Sequence, residues 1–182
     1  RLGNFPERSL DIDVVFDLMI HDLDLVLAFA GSAVESIDAY GVPVLTGRIC
    51  GVCPEAHHMA AAKAADAVYH VEIPRTAQKL RELLYSAFFV TDHATHFYAL
   101  GGPDFVMGPD APVAERNILG VIHKVGLEIA GKVLQARKAG HTVIEMIGGR
   151  KVHPCTSIPG GLSKGITKEQ RDEIETMGRW AI

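Results

Sequence analysis

Arg48-Ile49-Cys50-Gly51-Val52-Cys53-Pro54-Glu55-Ala56-His57 is the stretch from which the rest of the chain is read. Pro54 suits the first position of a helix, so the spacing predicts a helix starting there with Cys53 at its N-terminus. Gly51 lets the turn between the two cysteines close without a Cβ clash. Two thiolates on one tight turn reach a common soft metal ion. The helix dipole and its free N–H groups favour thiolate over thiol at Cys53. His57, four residues on, lies over Cys53 on the same face and can donate a hydrogen bond to its sulfur. By itself a C-x-x-C pair has three readings: half of a zinc site, a redox pair, or half of a larger metal cluster.

Outward from this loop the chain turns helical. The alanine-rich run from Pro54 to about His70 predicts a helix packed closely on its neighbours. Pro74 opens a second helix that nothing breaks before Gly101, about 26 residues or roughly 39 Å long at 1.5 Å per residue. Leu80, Leu83, Leu84, Ala87, Phe88, Val90 and Thr91 give it a wide apolar face suited to the middle of a bundle. Gly101-Gly102-Pro103 and Gly108-Pro109-Asp110 bound an expected loop. A third long helix is expected from about Val113 to Ala139. Gly120, Gly126 and Gly131 along it each cost about 1 kcal/mol against alanine, which close helix approach offsets. A short helix is expected from His141 to Ile147, ending at Gly148-Gly149, and then a loop through Pro154, Pro159, Gly160 and Gly161. Thr167-Lys168-Glu169-Gln170 has the form of a capping box opening a last helix to Trp180. Upstream, residues 1–47 are less regular: alternation over Ile12, Val14, Phe16 and Leu18 suggests a strand, Leu18 to Ala30 a helix, and Gly41-Val42-Pro43 a turn. The fold class is mainly α, a long-helix bundle with a small β or irregular N-terminal part.

With 182 residues, 48% hydrophobic and 22% charged, the chain has enough apolar material for one globular core. A net charge of −4 without a basic stripe argues against nucleic-acid binding. Acids and lysines interrupt every apolar run short of a membrane span. Three cysteines, two of them in the tight pair, point away from a disulfide scaffold and towards a reducing compartment. The first residues lead to no cleavable apolar core, so the cytoplasm is expected. Arg1 in place of Met suggests a trimmed N-terminus.

The whole string R-x-C-G-x-C-x-x-x-H resembles the first metal-binding motif of the nickel–iron hydrogenase large subunit. Gly148-Gly149-Arg150-Lys151-Val152-His153-Pro154 is similar to a second signature of that family, G-G-x-x-x-H-P. The run from Ala77 to Pro109, with Asp92-His93-Ala94-Thr95-His96-Phe97-Tyr98, is similar to the cytoplasmic branch that serves heterodisulfide reductase. Together these matches cover roughly Val44 to Thr167.

The resemblance implies reversible heterolytic cleavage of H₂ at a nickel–iron centre whose iron carries CO and cyanide. It implies that Cys50 is a terminal thiolate on nickel, that Cys53 bridges nickel and iron, and that His57 donates a hydrogen bond to the bridging sulfur. Arg48 is expected to orient the cysteine loop or to place positive charge near the centre, with an ordinary salt bridge as an equal alternative. Electrons are expected to leave through iron–sulfur clusters in a separate small subunit, then through a further iron–sulfur protein to heterodisulfide reductase. Family members carry four cysteine ligands and are more than twice this long. Neither a D-P-C-x-x-C-x-x-H-like segment nor an R-I-E-G-H segment occurs here, which implies that residues 1–182 are part of a longer large-subunit domain with 48–182 as its helical core. Other readings are a non-catalytic structural protein like the related component of respiratory complex I, against which the cysteines argue, and a zinc module using Cys50, Cys53 and His57 or His153. Elsewhere the expectations are plain: Glu55 a surface acid matched to the helix dipole, His58 structural, and His93 and His96 satisfied core donors. Tyr85, Phe88, Phe89, Phe97 and Tyr98 are expected to pack, and Cys155 to be a buried small residue.

Overall fold

Residues 41–181 are described in a computed structural model, and they belong to the second of two compact units, 1–39 and 40–182. The strand and helix expected before residue 40 lie outside the described residues. Gly41 is followed not by an open turn but by a short helix, α1 (Val42–Thr46), with proline in its first turn. After the cysteine loop comes α2 (Pro54–Val68), with Cys53 as its N-cap residue and Pro54 inside the first turn, as the spacing predicts. Ala61, Ala62 and Ala65 of α2 are buried, the close packing that alanine permits.

Pro74 flanks the start of α3 (Arg75–Thr95), which runs directly into a π-helical segment, His96–Leu100. Helical structure therefore fills the expected span, but its last turn is wider: Gly101 N–H donates to the His96 carbonyl, a five-residue step. The expected loop after Gly101 is instead a short helix, α4 (Gly102–Met107). The long helix expected from Val113 is two helices, α5 (Ile118–Val125) and α6 (Leu127–Gly148). Asn117 sets the first boundary, its side chain accepting from the N–H groups of Leu119 at 2.9 Å and Gly120 at 3.1 Å. Gly126 sets the second with φ of +89°, a backbone state that stops a helix and that side-chain-bearing residues avoid. The short helix expected at His141 is the C-terminal part of α6, which ends at Gly149 in a left-handed cap.

Beyond it, β1 (Ser157–Ile158) and β2 (Gly161–Leu162) pair antiparallel across Pro159-Gly160. The last helix, α7 (Lys168–Ala181), opens with the expected reciprocal box. Gln170 N–H donates to Thr167 Oγ1 at 3.2 Å while Gln170 Oε1 accepts from Thr167 N–H at 3.0 Å.

Met59, Leu84, Phe88, Val143, Ile144, Ile147 and Ile174 form the core, so α2, α3, α6 and α7 all contribute, and Cys53 packs against its edge. Of the aromatics expected to pack, Phe88 is in this core and Tyr85 lies against it, whereas Phe89 and Phe97 are largely exposed. His93 and His96 are not core donors; the His93 ring hydrogen-bonds only the Phe89 carbonyl of its own helix, and His96 is exposed.

Of the three glycines expected to permit close approach, only Gly120 does, with the Glu115 carbonyl and Met107 against it, and Gly140, which also does, is not among them. A Cβ on Gly131 would meet nothing, whereas one on Gly140 would run into Thr91 Cγ2 and lie 3.3 Å from the Ala87 carbonyl, where α6 crosses α3. The same substitution should therefore have opposite signs. Gly131→Ala is expected to raise stability by up to about 1 kcal/mol through helix propensity. Gly140→Ala should lower it by roughly 1–3 kcal/mol through overpacking. Urea denaturation of both variants checks this, and a stabilised Gly140→Ala would contradict the crossing.

Candidate metal centre

The cysteine turn is ordered by its own backbone. Cys50 Sγ accepts from the N–H groups of Val52 at 3.4 Å and Cys53 at 3.2 Å, and Cys53 Sγ–H donates to it at 2.9 Å. The Cys50 thiol is pushed below its ordinary range, chiefly by that hydrogen bond from Cys53, with the backbone amides helping against burial. The Cys53 thiol is pushed up to about 11, first by burial, then by giving its proton to Cys50 and by negative charge on Cys50 and Asp92. This reverses the expectation that the helix N-terminus makes Cys53 the thiolate. Desolvation against the core outweighs the dipole, and the sulfur that the amides favour as thiolate is Cys50.

His57 stands where its spacing places it: the ligand atoms of Cys50, Cys53 and His57 lie within 4.8 Å of one another, all half-buried. Arg48 is exposed, and its guanidinium forms no ion pair with a described side chain. His58 is fully buried and spans three elements. Its Nδ1–H donates to the Pro43 carbonyl at 2.7 Å and its Nε2 accepts from Ser157 N–H at 3.1 Å, holding α1 and β1 to α2. Both bonds require the neutral ring, and burial lowers its pKa accordingly.

The second motif closes on the first. His153, with φ of +60°, donates Nδ1–H to the Gly47 carbonyl at 2.7 Å, one residue before Arg48. Gly148 leaves room for Pro154, whose Cβ would otherwise lie 2.7 Å from a side chain there. Cys155 is half-buried, not buried, with its thiol 3.7 Å from the Gly148 carbonyl and its N–H donating to that same oxygen at 2.9 Å.

Glu55 corrects the sequence reading most sharply. It is 2% exposed, not a surface acid, and its Oε1 has no hydrogen-bond partner among the described residues. Burial raises its pKa to about 7; its own backbone N–H opposes this and Asp92 on α3 adds to it. Its place in the first helical turn hid it, because that is where an exposed acid is ordinarily favourable. Ala56 beside it and the alanine run from Ala60 on were the only hint of a buried face.

The folded chain thus retains a proton on Glu55 between pH 4.5 and about 7 that the unfolded chain releases. Stability from this group falls as pH rises through that window, by roughly 3 kcal/mol in all at 1.36 kcal/mol per unit. His58, with its lowered pKa, acts oppositely, losing stability on acidification below its ordinary value of 6.5. The difference between Glu55→Gln and the parent isolates the carboxyl. Glu55→Gln is expected to gain stability at pH 8 relative to pH 5 in urea titrations, and an unchanged difference would refute the burial.

Residues 32–117 match the family model described as nickel-dependent hydrogenase. The chain is 50% identical over 133 residues to the vhu F420-non-reducing hydrogenase protein of Methanocaldococcus jannaschii, covering 73% of this chain and 32% of that protein. Among solved structures, the H₂-reduced NAD⁺-reducing [NiFe]-hydrogenase superposes with a TM-score of 0.73 at 33% identity, covering 79% of this chain and 32% of that one. The Ni-Fe-Se hydrogenase from D. vulgaris Hildenborough, in its as-isolated oxidized state, gives a TM-score of 0.63 at 27% identity, over 79% and 31%. The chain spans about a third of the length of the curated relatives it matches. With the paired sulfurs on the helix N-terminus and this helical frame, residues 32–117 carry the pattern of the nickel-dependent hydrogenase family, and the described residues share part of its large-subunit fold.

Proposed function

We propose that the chain forms part of the catalytic large subunit of a nickel–iron hydrogenase acting on H₂, with Cys50 and Cys53 as two of the thiolate ligands of its metal centre. The observation that carries this reading is the pair of sulfurs 2.9 Å apart at the mouth of α2, inside a motif of the family. Two cysteine sulfurs suit the thiolate chemistry of such a centre and furnish half of the four that the resemblance implies. When bound, the nickel–iron centre supplies the Lewis acidity that polarises the H–H bond.

The chain's own residues do the rest of their share as ligands, positioners and proton holders. Cys53, anchored against the core, would hold one of the ligand sulfurs in place, and His57, whose ring nitrogen lies within 4.8 Å of both sulfurs, would be placed to donate a hydrogen bond to it. Cys50 Sγ, which the N–H groups of Val52 and Cys53 address, would be the sulfur placed to hold the proton released on cleavage. His153 holds the base of the loop through Gly47. Two of the three cysteines in these 182 residues are assigned to the metal centre, and the resemblance supports electrons leaving through iron–sulfur clusters in a separate small subunit. Relatives named F420-non-reducing support an acceptor other than F420, and we read it as heterodisulfide reductase, reached through a further iron–sulfur protein in the cytoplasm. No described helix is long and apolar enough to cross a membrane.

Metal analysis of the anaerobically purified full-length protein with its small subunit tests the reading. Nickel together with iron, near one each per large subunit, is expected. Zinc alone, or no metal, overturns it.

A further inference from the structure

We propose that the groove between α6 and the Lys151–Val152 segment is a binding site for a dianionic phosphate group, carried by inorganic phosphate or by a small phosphate monoester. The groove shares no residue with the cysteine turn, so the site stands apart from the reading of Cys50 and Cys53 as metal ligands.

Three observations carry it. Leu134, Arg137, Lys138 and His141 follow the i, i+3, i+4, i+7 spacing of one helix face, and with Lys151 and Val152 they line a concavity of about 310 Å³. That is the small end of the range for ligand pockets, fit for a phosphate with a short organic residue and not for a polymer. Second, most of the positive charge in the groove is unmatched. Arg137 Nε donates to Thr95 Oγ1 at 3.1 Å, which steadies the side chain, while its two terminal nitrogens have no partner among the described residues. Lys138 Nζ has none there either, and Lys151 Nζ meets only Glu145, at 3.6 Å. Two of the three cations are therefore unpaired, in a chain whose net charge is −4. A phosphate monoester carries close to two negative charges at pH 7, and a guanidinium fork takes two of its oxygens at once. A lone carboxylate would match only one of the cations. Third, the groove is built around a fixed ring. His141 Nδ1–H donates to the Lys151 carbonyl at 2.9 Å, tying the segment to α6 and leaving Nε2 without a partner among the described residues. Burial chiefly holds the His141 pKa below its ordinary value, the bond to Lys151 opposes this, and charge on Arg137 and Lys151 adds to the lowering. Both cations thus bear on the ring, and an oxyanion between them relieves that crowding.

The test uses the full-length protein with its small subunit, and radiolabelled inorganic phosphate and glycerol phosphate as probes in equilibrium dialysis at constant ionic strength. Expected is one phosphate per chain, displaced by sulfate but not by acetate. The double variant Arg137→Gln/Lys151→Gln should weaken binding about tenfold or more, the loss of hydrogen bonds to a charged group. Lys132→Gln, on the same helix but paired with Glu128 outside the groove, should leave binding unchanged. All three side chains are exposed, so the fold should persist, and far-ultraviolet circular dichroism checks it. Tighter binding of glycerol phosphate than of phosphate identifies an ester as the ligand, and equal binding identifies the free ion. Failure of the wild-type protein to bind either probe overturns the site. Full binding by the double variant, or an equal loss in Lys132→Gln, overturns its placement in this groove. The nickel and iron content of the same preparation is a separate measurement and decides the hydrogenase reading independently.

Discussion

Arg81→Met is expected to lower the unfolding free energy by about 3–5 kcal/mol, the cost of breaking a buried ion pair by removing one partner. Arg81 on α3 and Asp66 on α2 meet at 2.5 Å with side chains 4% and 8% exposed. The pair also carries the β1–β2 hairpin. Arg81 Nη2 donates to the carbonyls of Ile158 at 2.9 Å and Gly161 at 2.8 Å, and Asp66 Oδ1 accepts from Gly160 N–H at 2.7 Å. Removing the guanidinium strands one carboxylate and two carbonyls in a dry setting. Small domains have about 5–15 kcal/mol in all, so much of the total is at stake. Arg81→Lys should rescue little, because a point charge cannot serve the carboxylate and two carbonyls at once. The double variant Asp66→Leu/Arg81→Met should recover part of the loss, since no uncompensated charge remains. Urea unfolding of the three variants measures it, and a loss below about 1 kcal/mol for Arg81→Met would show that the pair is not buried in solution.

Cys53→Ser is expected to abolish H₂ uptake by the assembled enzyme. A serine hydroxyl is a hard donor that stays protonated where a thiol ionises, so it cannot bridge two metals. Losing an outer-shell partner of a metal typically costs about 10–100-fold, and losing a sulfur proposed as a direct ligand should exceed that. The fold should survive, because Cys53 contributes to the edge of the core and serine still fits the N-cap. H₂-dependent dye reduction, read beside the far-ultraviolet spectrum, separates loss of the ligand from loss of structure. Full activity in Cys53→Ser would dismiss the bridging role.

Much of the helical frame was legible because it is written locally. Pro54, Pro74 and the Thr167–Gln170 box each mark a helix start through their own backbone chemistry, and each start is observed. What escaped is set by distant contact or by backbone states with weak sequence signals. The break at Gly126 looks in sequence like Gly120 and Gly131, and only its positive φ distinguishes it. Gly140 looks innocuous until α3 is laid against it. At the centre, the i, i+3 and i+7 spacing was enough to gather Cys50, Cys53 and His57. The burial of Glu55 and the exposure of Arg48 were not legible, because both depend on which side of the loop the core closes over.

The bond from His153 to Gly47 joins residues 106 apart in the chain. At roughly 5–20 residues per second, a ribosome delivers that latch about 5–20 s after the cysteine turn. During this interval the two thiols are adjacent but their loop is unpinned, so the nascent polypeptide passes through a stage in which oxidation can close them into a disulfide. Reducing surroundings during synthesis, and not only during turnover, are therefore part of what this sequence demands of its host.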